Sequence, residues 1–314
     1  MTEQSSATLR EATVLPRLAG LGWGLLGIVA FSFTLPFTRV AVGGLSPLFI
    51  GSGRAVVAAA LAVIALSIAH RRRPGSVPVP SPRQWARLAI VAAGVVVGFP
   101  LLTSFALTSV PASHAVVVIG LLPAATAVLA VLRGKERPAV SFWVFASLGA
   151  VAAMTFASLQ NGGLGELHEA DLLLFLAVVL CAMGYAEGGL LARELGAWQT
   201  VSWALVLAAP LMIVATIVAV VQQPPAAAPV EWAAFAYLAV VSMFLGFFAW
   251  YRGLAIGPIA QVSQVQLVQP VLGILWSAVL LHERIGMPTL LGGLAVIACA
   301  GLAVRTRLTR KDTP

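Results

Sequence analysis

One skeleton occurs twice in this chain, 147 residues apart, and both occurrences lie within apolar stretches. Leu107, Pro111, Val118, Pro123, Glu136 and Arg137 recur as Leu254, Pro258, Val265, Pro270, Glu283 and Arg284, a shared Pro-x11-Pro-x12-Glu-Arg pattern. The chain therefore reads as a duplicated unit. What the two copies can build depends on orientation: a unit with an odd number of membrane spans sets its second copy upside down against the first.

Composition supplies the span count. With 60% apolar residues, 10% charged residues and a mean hydropathy of +0.98, the chain is far more apolar than a soluble domain, where about 25% of residues are charged. A helix of roughly 20 residues crosses about 30 Å of hydrocarbon. Apolar segments of that order lie at 18–38, 47–69, 85–107, 112–132, 139–159, 171–192, 198–221, 232–252, 259–281 and 287–304. Long runs of Ala, Leu, Val and Gly without a ten-residue alternation satisfy their backbone groups as helices rather than as a barrel. The expected fold class is all-α integral membrane, with ten transmembrane helices as two inverted five-helix repeats. Residues 1–17 form an N-terminal tail, 18–159 the first repeat, 171–304 the second and 305–314 a basic tail.

Charge checks that count. With the N-terminus in the cytoplasm, the inside collects 16 of the 19 basic residues, among them Arg71, Arg72, Arg73, Arg83, Arg87, Arg133, Lys135, Arg137, Arg193, Arg252 and the C-terminal cluster. Arg39 and Arg284 fall outside, Arg54 falls within a span, and the loops 160–170 and 222–230 hold no Lys or Arg. The positive-inside rule then places both termini in the cytoplasm and the chain in the inner membrane. The net charge of +8 is a consequence of topology, so nucleic acid is not an expected partner. The first apolar run continues to full spanning length and is expected to stay in the mature protein. Cys181 and Cys299 both fall in spans, which argues against a disulfide framework. The stretch His70 to Arg83, with three consecutive arginines followed by four prolines, reads as a linker.

The layout of five plus five spans, a mid-span proline and a Glu closing spans four and nine resembles the EamA-type branch of the drug/metabolite transporter superfamily. The pieces that carry the resemblance are Trp23-Gly24, Arg54, Pro123 with Glu136, and Pro270 with Glu283. It covers about residues 18 to 305. It implies secondary export, less often import, of small metabolites such as amino acids through a central cavity walled by both repeats. Four-span multidrug relatives carry an acidic residue in span one; this span one has none, which argues against proton-driven exchange of quaternary cations by that route.

Polar groups inside the spans mark the candidate site. Gln261, Gln264 and Gln269 of span nine, with Gln266 beside them, fall within an arc of about 140° at 100° per residue. The three form one polar stripe, either interhelical glue or the lining of a wet cavity. Gln261 maps onto His114 of the first copy. His114 is either a hydrogen-bonded structural residue or a substrate or proton group; no neighbouring His or Cys makes it a metal site. Glu187 lies six residues before Arg193, roughly 9 Å from the span's end, where an intramembrane carboxylate suggests proton coupling. Pairing with Arg54 or Arg193 is the competing reading. Arg54 suits a substrate carboxylate through its planar fork, against helix-end carbonyls or Glu283 as structural partners. Ser32, Thr103 and Tyr185 offer further polar contacts, and Phe33 and Trp250 aromatic walls.

Alternatives fall away on chemistry. No G-x-x-x-x-G-K-[ST] loop is present for a nucleotide-driven pump, no nucleophile arrangement for an enzyme, and no mid-span lysine for a retinal Schiff base. The sequence reading is a secondary transporter without cofactor or metal, a monomer or weak dimer. It works by alternating access around spans one, three, four, six, eight and nine, with Glu187 and His114 as coupling groups and protons as a possible co-substrate. Import of a vitamin or nucleotide-sugar-like solute and a channel are the competing functions.

Overall fold

A computed structural model describes residues 19–309 except 74, 76, 135–139, 161–167, 257–261, 263 and 264. Helices and their connections account for all the described residues, with no strand among them. We number the rods α1 (Ala19–Ala41), α2 (Pro47–Arg72), α3 (Pro82–Ser109), α4 (Ala112–Ile119 and Leu122–Gly134), α5 (Val140–Gln160) and α6 (Glu169–Leu195). Then come α7 (Ala197–Gln222), α8 (Pro229–Ile256), α9 (Val265–Leu281) and α10 (Met287–Thr309). Seven of these are long and apolar enough to cross a membrane, and apolar stretches of α5, α9 and α10 form three shorter helices. Leu211, Val214 and Ile217 of α7 and Leu291 and Leu294 of α10 face outward uncovered. Patches of this kind are rare on proteins that live in water, and they suit contact with lipid.

Local signals set the helix starts. Ser46 caps α2 by accepting from the Phe49 N–H, with Pro47 at the first turn. Ser81 and Gln84 form a reciprocal capping box before Pro82 opens α3. Both arrangements satisfy orphan N–H groups with a fixed φ already in place.

The helix boundaries recur. Pro82 and Pro229 open α3 and α8, 147 positions apart. Pro47 and Ala197 open α2 and α7, 150 positions apart. The three-residue change of offset arises between α2 and α3, where the first copy's connection, 73–81, is longer than its counterpart, 223–228. Irregularities recur as well. A π-helical segment, Ala92–Gly98, sits in α3, and another, Leu238–Leu245, in α8. Pro100 follows the first and Phe247 stands at the same place after the second. The widened turn therefore belongs to the repeat and not to one proline; such turns are common at functional sites. In α4 the α-helical ladder lapses at Gly120 and Leu121, before Pro123. In α9 a 3-10 turn, Val265–Leu267, precedes Pro270. Proline lacks the N–H that would continue the ladder, so the second proline of the repeated skeleton produces a break in each copy.

Equivalent helices pack on each other: α2 on α7, α4 on α9, and α5 on α10. Other close crossings include those of α3 with α6 and of α1 with α8. Glycine makes them close. A Cβ on Gly94 of α3 would meet the backbone of Leu180 and Gly184 of α6, and one on Gly27 of α1 would meet the backbone of Trp250 of α8. Small residues allow such approach without a hydrophobic drive between helices.

Contacts at the helix ends show which ends lie together. Gln84 at the start of α3 donates to Glu194 at the end of α6 (3.1 Å), Arg193 donates to the Leu254 carbonyl (3.4 Å), and Arg252 lies over the Trp23 ring (5.4 Å). Arg71, Arg72 and Arg73 also lie at this end, which we call the basic end. At the other end, Arg39 donates to the Leu107 carbonyl (2.7 Å).

Candidate functional site

The second proline of each copy brings the two helix breaks together at the centre of the bundle. Between them lies a narrow cavity of about 10 Å3, walled by Phe31, Ser32 and Leu35 of α1, by Val116, Ile119, Gly120, Leu122 and Pro123 of α4, and by Gln266, Gln269, Pro270 and Gly273 of α9. A second cavity of about 20 Å3 adjoins it through Phe31 and Gln269, which line both. Its walls come from α1, α2, α3, α6, α8 and α9, and include Arg54, Val95, Tyr185, Ser242 and Phe247. Each has room for a group of about the size of one water molecule.

Both cavities lie where equivalent positions of the two copies converge. Ile119 and Gln266, Leu122 and Gln269, and Pro123 and Pro270 face the first; Phe31 and Cys181, Val95 and Ser242, and Pro100 and Phe247 face the second. Val95 and Ser242 stand in the two π-helical segments. The widened turns thus point side chains into the centre that a regular helix would direct elsewhere.

The residues singled out from sequence divide into three groups. Ser32, Tyr185 and Gln269 line the cavities. Ser32 Oγ accepts from the Trp276 indole N–H (3.0 Å) and donates to the Val29 carbonyl (2.7 Å). Tyr185 packs its ring near those of Phe31, Phe247 and Trp250. Phe33, Thr103, Trp250 and His114 sit apart from the lining. Phe33 stacks on Trp276 at 4.5 Å. The Thr103 hydroxyl donates to the Phe99 carbonyl of its own helix (2.6 Å). Trp250 is buried with its indole N–H unpartnered. Gln261 and Gln264 lie outside the described residues, as do Pro258, Glu136 and Arg137 of the repeated skeleton.

His114 has a partner that sequence reading missed. Its Nε2 lies 2.7 Å from Oδ1 of Asp171, which is completely buried at the start of α6. The other carboxylate oxygen, Oδ2, accepts from the His168 N–H (3.1 Å). The signal was the cap: His168 and Asp171 stand three residues apart before an apolar run. Glu187, also buried, forms an ion pair with Arg87 of α3, whose guanidinium also meets Glu194 at 2.5 Å. These two clusters fasten α6 to α4 at one end and to α3 at the basic end.

Gln266 and Arg54 complete the centre. Gln266 is 1% exposed and neither amide atom has a hydrogen-bond partner. A regular helix would turn it away from the stripe, but the 3-10 turn at Val265–Leu267 changes the angle per residue, and Gln266 faces the cavity. Arg54 is also 1% exposed, and its Nε and Nη2 have no partner. Glu283 is engaged elsewhere: its carboxylate accepts from the Ala112 N–H (2.8 Å) and the Ser113 N–H (2.9 Å) at the start of α4. That is an anionic cap on a helix N-terminus, and it gives the Glu of the repeated skeleton its role in this copy. Among the described residues no three His, Cys, Asp or Glu side chains converge to hold a metal ion.

Comparison with known proteins agrees with a duplicated membrane bundle. The model of the EamA-like transporter family matches residues 18–158 and again 168–305. An uncharacterized transporter of Bacillus subtilis (strain 168), YdeK, is 44% identical over 286 residues, which covers 90% of this chain and 97% of the relative. A solved crystal structure 18% identical in sequence superimposes with a TM-score of 0.63 over 95% of this chain and 100% of that one; this likeness concerns the fold alone. Two family matches that together span nearly the whole chain, and a relative of almost equal extent, lead to one conclusion: the chain is a multi-pass membrane protein that belongs to the EamA-like transporter family.

Proposed function

We propose that the protein is a secondary transporter that moves a small polar metabolite, an amino acid or a related compound, outward across the cytoplasmic membrane by alternating access. Ten helices span the bilayer with both termini in the cytoplasm, and two inverted halves, 18–159 and 171–304, rock about the central cavities. The single observation that carries this reading is that both cavities are lined by equivalent residues of the two copies, since inverted-repeat transporters bind substrate at the interface of their repeats. The clustering of arginines at one end of the bundle supports the orientation. The direction of transport rests on the family resemblance.

Protons drive the cycle in this reading. Glu187 and His114 are the coupling groups, and each stands in a cluster that ties α6 to a first-half helix at an opposite end of the bundle. A cycle that opens the two ends in turn must loosen these clusters in turn, and protonation of a carboxylate removes the charge that holds its partner. The working unit is a monomer or weak dimer in the bilayer.

The test is uptake of labelled metabolites into proteoliposomes of the purified protein, with and without an imposed pH gradient. Accumulation of one amino-acid class that follows the gradient is expected. Movement that only equilibrates would make the protein a facilitator and return Glu187 and His114 to structure. Uptake of vitamin or nucleotide-sugar-like solutes alone would replace the substrate assignment.

A further inference from the structure

Arg54 is the one cation among the described lining residues of either cavity, and no Asp or Glu lines them. A buried guanidinium without a hydrogen-bond partner is strongly unfavourable in a low-dielectric interior. Burial of 99% and two unpartnered nitrogens are therefore not what packing alone retains. The position equivalent to Arg54 in the second copy, 150 residues on, is Ala204, also buried, so the fold accepts a small apolar side chain at this place.

We propose that Arg54 holds the carboxylate of a small metabolite in the central site, an inference that rests on the reading of the cavities as the substrate site. One fixed positive charge matches one negative charge, and the planar guanidinium fork matches a planar carboxylate in two parallel hydrogen bonds. A phosphate dianion would leave net negative charge buried with no second cation. Thr34 and Ser242, whose hydroxyls share a 2.8 Å hydrogen bond, and Gln269 stand on the same cavity wall and offer neutral contacts. Val95, Phe99, Met243 and Phe247 line the same cavity, and they give the rest of the ligand an apolar wall once the two halves part and widen a space that here holds about one water molecule. With no carboxylate among the described lining residues, an organic cation that brings no carboxylate of its own is disfavoured beside Arg54. The carboxylate can come from a simple organic acid or from an amino acid, whose ammonium group is then received by neutral acceptors and ring faces.

The test compares isovalerate and L-leucine, which share an isobutyl group, with isovaleramide, leucinamide and choline, as ligands of the purified full-length protein in detergent. Thermal unfolding is followed by tryptophan fluorescence, and uptake of the same probes is measured in proteoliposomes. At least one of the two acids is expected to raise the unfolding midpoint, while the amides and choline do not. The stronger of isovalerate and L-leucine identifies the source of the carboxylate. R54Q should melt no lower than wild type without ligand and lose the response to the acid. R54K should keep the response with an apparent affinity poorer by about tenfold, the cost of replacing a fork by a point charge. The proposal is overturned if wild type does not distinguish acid from amide, if R54Q melts well below wild type or cannot be purified, or if R54Q retains the preference. A response to acid without any uptake would retire the transport reading and leave Arg54 in its role. Uptake that keeps its preference for the acid in R54Q would do the reverse.

Discussion

Set position by position, the two halves of the molecule use one backbone for different chemistry. Val95 faces Ser242, Pro100 faces Phe247, and Ile119 and Leu122 face Gln266 and Gln269 around the central cavities. Arg54 of α2 has Ala204 as its counterpart in α7. The shared features are those of the chain path: helix starts at Pro82 and Pro229, π-helical segments in α3 and α8, and breaks before Pro123 and Pro270. The unshared features are polar side chains. A duplicated chain keeps its geometry because both copies must fit each other, and it is free to diverge where the two faces meet a cavity.

The comparison is easiest to break at the helix crossings. Gly94→Leu and Gly27→Leu each drive a side chain into the backbone of a helix from the other half, α6 and α8 respectively. Each should cost about 3 kcal/mol or more and abolish recovery of monodisperse protein on gel filtration. If one is tolerated and the other is not, the two crossings are not equivalent. His114→Ala leaves the fully buried Asp171 without its imidazole partner, and should destabilise by about 3 kcal/mol in thermal unfolding of the detergent-solubilised protein. His114→Ala combined with Asp171→Ala should cost less than the sum of the two single changes, because the pair is one interaction. Glu283→Gln keeps the outline of the cap on α4 but removes its charge and one of its two acceptor oxygens, and should lower stability by about 1 to 2 kcal/mol. The smallest effect sharpens the comparison best: Gln266→Leu makes the second half apolar where the first has Ile119. Removal of a buried unpartnered amide should leave stability unchanged or raise it by up to about 1 kcal/mol, while uptake of a polar substrate falls. A large loss of stability would show that Gln266 is structural.

The skeleton could be read from sequence because proline and helix length act locally. Ten apolar runs, the paired prolines and the closing Glu were all visible, and α2, α3, α4, α6, α7, α8 and α10 begin within a few residues of the expected bounds, while the residues just before the described parts of α1, α5 and α9 lie outside the described ones. The 150-residue offset of α2 against α7 was not visible, since it depends on a three-residue difference between connections and not on matching residues. Of the residues singled out from sequence, Ser32, beside the interruption of α1 at Phe33, and Tyr185 reach the cavities. Site residues were obscured where the angle per residue changes. Gln266 illustrates this, because a 100° step places it off the stripe and a 3-10 turn brings it to the cavity. Thr103 lies outside the lining of both cavities, and its hydroxyl donates to the carbonyl one turn back in its own helix. Asp171 escaped because its burial arises from packing of α6 on α4, which spacing along the chain does not encode.

The glycine crossings have a mechanical consequence. Where Gly94 meets Gly184 and Gly253 meets Gly24, main chain touches main chain with no side chain between. Elsewhere in the bundle, sliding one helix over another means lifting interlocked rotamers out of their grooves, which costs energy at each step. At these two points, one on the α3–α6 pairing and one on the α1–α8 pairing, only flanking side chains such as Val95 have to move. If the halves rock as proposed, repacking is smallest where backbone lies on backbone.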